Sequence, residues 1–391
     1  MLDEGSDAQT RAGRPFIVQD HYEYVANAKT RAVGDTIDVR FHVINFADDG
    51  GFALVSADSR TTPVYAYSET GHLDLEDAIA NTGFGTFMDN AALYYVSEVG
   101  KTREIINDTT VNGTVPAPEN IPDVLPLVYY NGTPYYVLYN YKETISLVSA
   151  MVTAEWGQGD PYNYYCPIVS GTTHAAAGDG PVAVGQIMSY FRKPSSVQEY
   201  GTTDPLYNHL FLWGMMMGSN SYDPGTSSAG CRNVAYLIHQ IGLYAGANYG
   251  TTTTTTIGGI ASAFGSFNYN KSSVCTFDST LVRSSLDNEK LVFARGTNGI
   301  SGDSHSWVID GYRFVQEEHL YFAYAYPHGL QFKDTTGNTW TYYHCNWGQD
   351  GQYNAFVLNT FIVDGNNQYG YNNQIIYNIS PKTGGGVVPV E

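Results

Sequence analysis

Asp179 lies in Ala177-Gly178-Asp179-Gly180-Pro181-Val182-Ala183-Val184-Gly185-Gln186-Ile187-Met188, where glycines and a proline deliver the chain abruptly into an apolar run. That run, Val182 to Phe191 and ending before Pro194, predicts a buried helix with Pro181 in its first turn. A side chain just ahead of a helix faces unpaired N–H groups and the positive end of the macrodipole, which favours an anion. The carboxylate can therefore be a cap, the replacement of a thiolate, or a catalyst. His305 stands in Ser301-Gly302-Asp303-Ser304-His305-Ser306-Trp307-Val308-Ile309-Asp310-Gly311, a polar loop feeding an apolar strand, where an imidazole at a cleft edge can act as general base. His344-Cys345-Asn346-Trp347-Gly348 offers an amide that can orient an imidazole and an indole that can shield it from water. His344 shares a strand face with Asn346 by period two and reads as structural. Gln158, in Glu155-Trp156-Gly157-Gln158-Gly159, can donate an amide hydrogen bond to a developing oxyanion. Taken singly, each has an ordinary alternative: a loop histidine closing a strand, a packed Asn-Trp pair, a turn glutamine facing solvent.

The elements that must hold these residues fall into two groups. In the first third, Thr36 to Val43, Gly51 to Asp58 and Val64 to Tyr67 alternate apolar and polar residues as antiparallel strands do, and Asp48-Asp49-Gly50-Gly51 predicts a hairpin. From Leu75 to Val99 the spacing becomes helical, with Ala78, Phe84, Phe87, Met88, Ala91 and Tyr95 able to share a face. Residues 107 to 140, rich in Asn, Thr, Pro and Tyr without periodicity, read as a connector. These patterns place a small α+β domain at 1–145, opening on a polar leader, and a second domain at 146–391. In the second domain helices are predicted at Ile145 to Met151, Asn233 to Ala245 and Ile257 to Phe267. Strands are predicted at Lys290 to Gly296, Ser306 to Arg313, Leu320 to Tyr324, Trp340 to Cys345 and Asn354 to Leu358. A helical half followed by a strand-rich half makes an α+β class.

Composition narrows the partners. With 391 residues the chain exceeds one average domain, and a formal net charge of −19 opposes binding to a phosphate backbone. Nucleic acid is therefore not an expected partner. The four cysteines, Cys166, Cys231, Cys275 and Cys345, are widely spaced with no CxxC pair, so neither a zinc site nor a dense disulfide framework is indicated, and each reads as a small buried hydrophobe. No metal or other cofactor is called for. No apolar run reaches the eighteen or so residues of a membrane span, and the acidic start Met1-Leu2-Asp3-Glu4-Gly5 is not a signal peptide. The expectation is a secreted, cell-surface or periplasmic protein whose export signal has been removed.

The motifs Trp-Gly-Gln…Pro-Tyr-Asn, Gly-Asp-Gly-Pro-Val-Ala-Val-Gly-Gln-Ile-Met, His-Ser-Trp-Val-Ile-Asp-Gly-Tyr and His-Cys-Asn-Trp-Gly occur in one order, and together they resemble the streptopain family of papain-like cysteine peptidases. The resemblance runs from about Leu147 to Pro381, and Asn372 to Pro381 looks like the family's closing strand. Gly51-Phe52-Ala53-Leu54-Val55-Ser56-Ala57-Asp58 with Pro63-Val64-Tyr65-Ala66-Tyr67-Ser68 is similar to the family's propeptide. The resemblance implies a propeptide domain acting in cis on a peptidase domain that takes peptide or protein substrates. It implies His305 as the histidine that activates the nucleophile and protonates the leaving amine, Gln158 at the oxyanion hole, and Asn346 and Trp347 as orienting and shielding residues. It also implies a cysteine in Gly-Cys-Gly-Pro-Val-Ala, at the position that Asp179 holds here.

That departure governs the expected activity. A thiolate attacks a peptide carbonyl because it is polarizable and nucleophilic; a carboxylate keeps the charge and loses that nucleophilicity. It can still cap the helix and pair with His305, and in shape and charge it resembles a cysteine sulfinate. Three readings are open: a streptopain-like zymogen whose nucleophile is replaced, a pseudopeptidase that binds peptides or a partner through a retained cleft, and an acid-dependent hydrolase using Asp179. The last lacks the second carboxylate that aspartic peptidases pair with the first.

Overall fold

The structure is a computed structural model that describes residues 17–29, 36–58, 60–80, 82–108, 127–130, 133–136, 141–203, 208–217, 229–297, 304–325, 329–336, 338–361, 363–364, 367–368 and 371–382. In the first third, strands Val18–Lys29, Thr36–Phe46, Phe52–Ser56 and Val64–Ser68 form an antiparallel meander. Alternation drives it: Val39, Phe41 and Val43 are fully buried while Asp38 and Arg40 face solvent. The turn after Phe46 places Asp48 and Asp49 at φ 58° and 51°, the left-handed pair that suits a tight hairpin. Helix Thr82–Asp108 crosses this sheet and buries Phe84, Phe87, Met88, Ala91 and Tyr95, so Tyr95 meets Phe41 edge-on at 5.6 Å.

The meander does not stop at the end of its own segment. Strand Val64–Ser68 pairs with Ala355–Leu358, and the Tyr67 and Phe356 rings stack at 5.2 Å across the join. The path continues through Thr339–Asn346, Ser304–Ala325, Leu291–Thr297, Tyr371–Pro381 and Tyr269–Asn270, giving one 13-stranded sheet among the described residues. The first third of the chain and the later strands thus share backbone hydrogen bonds as well as side-chain packing.

Facing the later strands is a helical wall built on Asp179–Phe191, whose residues from Gly180 to Ser189 are all buried. Arg192 ends it in the left-handed region at φ 49°, donating its N–H back to Met188 and Ser189 carbonyls. Helix Ala229–Ala245 packs alongside, Ile238 reaching the Gly185 surface, and Ile257–Ser266 begins at Thr256, whose hydroxyl accepts from the Gly259 N–H. No helix among the described residues is long and apolar enough to cross a membrane.

Two expectations are corrected. Ile145 to Met151 is not a helix: Tyr141–Val148 is a strand, antiparallel to Ser304–Ala325 with Val148 opposite Tyr312 and Tyr141 opposite His319. Seven apolar and polar residues cannot distinguish the two periods by themselves, and the open flank of a strand over 160 residues away supplies the backbone partners. The strands predicted separately at Ser306 to Arg313 and Leu320 to Tyr324 are one, Ser304–Ala325; the polar Gln316 to His319 stretch between them keeps its pairing to Tyr141–Thr144. Helix Ser279–Asp287, absent from the sequence reading, starts at Asp278, whose carboxylate accepts from the Thr280 and Leu281 N–H groups. The polar leader and most of the connector lie outside the described residues.

The helical wall carries a direct test. Ile187→Ala removes a fully buried side chain and is expected to cost about 2–5 kcal/mol in chemical denaturation. Ile168→Ala, at a residue 61% exposed, is expected to stay within about 0.5 kcal/mol.

Candidate active site

The site begins where the chain enters helix Asp179–Phe191. Gly178 sits at φ 92°, and a Cβ on it would meet Thr253 Cγ2 at 3.0 Å, so glycine is required by both conformation and space. Gly178 is the cap position and carries no side-chain bond; Asp179 is the first helical residue, one place further in than the sequence reading put its carboxylate. Its Oδ1 accepts from the Gly180 N–H at 2.5 Å. Its Oδ2 lies 3.1 Å from His305 Nδ1 and accepts from the Ser306 N–H at 3.1 Å. The His305 side chain is 1% exposed and that of Asp179 16%, so the pair is largely shielded from water.

His305 owes its position to sheet register. It lies opposite Gly296 in the antiparallel pair of Leu291–Thr297 with Ser304–Ala325, the second residue of its strand. Its Nε2 stands 2.9 Å from the Trp347 carbonyl. Both ring nitrogens therefore have an oxygen within hydrogen-bond distance. The Trp307 ring lies parallel to the imidazole at 6.4 Å, and the Trp347 indole is fixed by its Nε1–H donating to the Tyr353 carbonyl at 2.8 Å.

Asn346 is buried beside this pair, but its bonds go elsewhere. Nδ2 donates to the Ala154 carbonyl at 2.9 Å, while Oδ1 accepts from Gln186 Nε2 at 2.9 Å and from the Gly348 N–H at 3.2 Å. The amide ties the 154–156 segment, the helix and the Asn-Trp-Gly turn together, and the contact from that motif to His305 is the main-chain carbonyl of Trp347. Gln158 is brought to the same edge, its carbonyl accepting from the Ala177 N–H at 2.9 Å two residues ahead of Asp179, with its side chain half-buried. His344 is engaged on the sheet, its Nδ1 2.6 Å from buried Asp310, whose other oxygen accepts from the Val152 N–H at 2.7 Å. That agrees with a structural histidine.

Gly83, Gln186 and Arg295 at the site were not singled out by sequence reasoning. Gly83, at the start of helix Thr82–Asp108, lies so close that a Cβ would fall 2.8 Å from His305 Nε2 and 2.8 Å from Trp347 Cε3. Next to it, Phe84 meets the Trp347 ring edge-on at 6.3 Å. Gln186 braces Asn346 from within an apolar helical run, a lone amide whose presence there was the available clue. Arg295, a lone cation in the apolar strand Leu291–Thr297, reaches the residue before His305 through an Nη2–H bond of 2.6 Å to Ser304 Oγ.

A helical wall and a strand wall meeting at the start of a helix, with a separate N-terminal unit laid across them, make up the fold of a papain-like cysteine peptidase with its propeptide. The chain belongs to the peptidase C10 family of cysteine proteases, whose model matches residues 156–357, and residues 6–95 match the Spi protease inhibitor model. It is 24% identical over 382 residues to the thiol protease/hemagglutinin PrtT of Porphyromonas gingivalis, covering 89% of this chain and 38% of that protein. The chain thus spans well under half the length of that relative. Among solved structures it is similar to a mutant prointerpain A fragment from Prevotella intermedia, with a TM-score of 0.54 at 17% identity over 92% of this chain and 100% of that one. Active wild-type interpain A of the same organism aligns with a TM-score of 0.41 at 19% identity over 59% of this chain and 94% of that one.

None of the four cysteines is disulfide-bonded; Cys166, Cys231 and Cys345 are buried and Cys275 is half-buried. Burial pushes the Cys166 thiol up to about 12 and holds that of Cys345 far above the usual thiol range. Burial and then Asp278 raise the Cys275 thiol as well. Titration of the native chain with a thiol-disulfide reagent at neutral pH is therefore expected to label slowly and at one thiol at most, Cys275, against all 4 in denaturant. Fast labelling of a native thiol would show a reactive cysteine that this packing does not provide.

Proposed function

We propose that this chain is a streptopain-like cysteine endopeptidase zymogen in which Asp179 stands at the nucleophile position, so that the polypeptide as it stands does not hydrolyse peptide bonds. The observation that carries the reading is the approach of Asp179 Oδ2 to within 3.1 Å of His305 Nδ1 at a helix N-terminus. A thiolate in that place would be held by the imidazolium and by the helix, would attack the peptide carbonyl, and would leave the proton on His305 for the departing amine. The carboxylate accepts the same bonds and is a far weaker nucleophile toward an amide. Gln158, on the segment bonded to Ala177, is the side chain we assign to the developing oxyanion, with Trp347 shielding His305 and Asn346 holding the turn that presents the Trp347 carbonyl.

In this reading residues 1–145 are the propeptide domain and 146–391 the peptidase domain. The N-terminal segment is the peptidase's partner in cis: Gly83 lies against His305 and Trp347, where a substrate chain would otherwise approach. A location outside the cytoplasm goes with this function, supported by the acidic, lysine- and arginine-poor composition. The second reading, a pseudopeptidase that binds a peptide or protein without cutting it, draws on the same pair, because His305 is fully engaged by Asp179 and the Trp347 carbonyl and the cleft walls remain assembled. An acid-dependent hydrolase finds no support, since no second carboxylate is bonded to Asp179 among the described residues.

The unmodified chain is expected to leave casein and fluorogenic peptides intact, and Asp179→Cys to cleave them once the connector at 107–140 has been cut. Turnover by repurified unmodified protein would overturn the assignment of Asp179. An Asp179→Cys protein that is cut in the connector, stays folded and remains silent would favour the binding module.

A further inference from the structure

Arg295 sits on strand Leu291–Thr297 directly opposite Ser306, half-buried, with Gly296 opposite His305. Its side chain runs diagonally along the same sheet face to Ser304, where Nη2 donates to the hydroxyl at 2.6 Å. The other arm of the guanidinium, Nη1, donates to the carbonyl of Thr255 on the opposite wall. Thr255 is not an ordinary loop residue. It is 7% exposed, its hydroxyl has no partner, and that hydroxyl lies 2.5 Å from where a Cβ on Gly180 would be. Gly180 follows Asp179, and Ser304 precedes His305. One planar group thus bonds Ser304, the residue before His305, and Thr255, which packs against Gly180, the residue after Asp179.

We propose that Arg295 is the positioning residue of this site, a clamp that joins the Thr255 segment of the helical wall to the Ser304 segment of the strand wall and so sets the separation of residue 179 from His305. The chemistry suits arginine. A guanidinium offers several N–H donors in a rigid fork and stays charged, so it can hold two oxygens on different elements at fixed spacing, whereas a lysine ammonium is a single point on a flexible stem. The two walls are otherwise joined here by Asp179 with His305 and Ser306, and by Gln186 with Asn346. Neither of those links constrains the 250–256 loop, whose own ties run to the pre-helix segment through Thr253 Oγ1 and the Ala176 carbonyl at 2.6 Å. Without the clamp the first residues of strand Ser304–Ala325 lose their hold on that loop.

The inference rests on the proposed function only for its kinetic consequence; the geometric claim can be read in the unmodified chain. In full-length protein carrying labelled histidine, the His305 Nδ1 proton held by Asp179 is expected as a downfield imidazole resonance, assigned by its loss in Asp179→Asn. Arg295→Met and Ser304→Ala are expected to broaden or abolish it, and Arg295→Lys, which keeps the charge and loses the fork, not to restore it, while the unfolding temperature of Ser304→Ala changes little. In the Asp179→Cys background, connector cut, the same three substitutions are expected to lower kcat by about 10- to 100-fold with a much smaller change in KM. An unchanged His305 resonance in folded Arg295→Lys and Ser304→Ala would overturn the clamp, as would kcat values equal to that of Asp179→Cys alone. If the resonance responds as expected but Asp179→Cys never turns over peptide, the clamp stands and the peptidase reading falls.

Discussion

The contact between Asp179 Oδ2 and His305 Nδ1 joins two elements that are 126 residues apart in the chain, and each is placed by a different kind of structure. The carboxylate is delivered by a helix whose residues from Gly180 to Ser189 are buried. The imidazole is delivered by the register of two antiparallel strands. Because a helix buried on all sides cannot rotate and a strand with one buried face cannot slip by one residue, neither group has freedom to move away. Removing one partner of a contact shielded to this degree would leave the other side chain a buried polar group without its mate. The helix, the sheet and the cleft between them are arranged so that this meeting occurs.

Around the pair, polar groups act chiefly as ties between elements. Asn346 links three segments, Gln186 reaches out of an apolar helix to meet it, and Asp310 holds His344 while accepting the Val152 N–H just after strand Tyr141–Val148. Asn346 and Asp310 are buried polar groups bonded through both side-chain heteroatoms, and Gln186 is tied through its Nε2 alone; bonds of this kind between elements specify one assembly where an apolar substitute would permit several. The two aromatic anchors, Trp307 beside His305 and Trp347 under Phe84, exclude water from the same volume.

The N-terminal third is bound to this assembly in two ways. Its last strand extends the peptidase sheet through Val64–Ser68 and Ala355–Leu358, and the start of helix Thr82–Asp108 brings Gly83 against His305. A glycine is needed there for a packing reason alone, since its neighbours lie where a side chain would begin. Release of this segment would have to break a strand pairing as well as an apolar contact.

Much of this was legible in the sequence, and the limit has a physical cause. Alternation marked Val39, Phe41 and Val43 as one buried face, paired aspartates marked the hairpin, helical spacing marked Phe84 to Tyr95, and the Gly-Asp-Gly-Pro turn marked the helix that carries Asp179, because these are local properties of a few residues. The family resemblance drew together Gln158, Asp179, His305, Asn346 and Trp347 before any geometry was known. What a short window cannot encode is which strand edge a segment will meet, and so the helix expected at Ile145 to Met151 gives way to strand Tyr141–Val148, paired along the flank of Ser304–Ala325. The same holds for partners at the site: the sequence presents an amide at 346 and an arginine at 295, but only the tertiary structure directs the first to Ala154 and Gln186 and the second to Ser304 and Thr255. The sequence by itself determined the residue types, their order and the periodicity of the elements. The packing of distant surfaces decided which groups came within 3 Å of one another, since hydrogen bonds depend on distance and direction and not on separation along the chain.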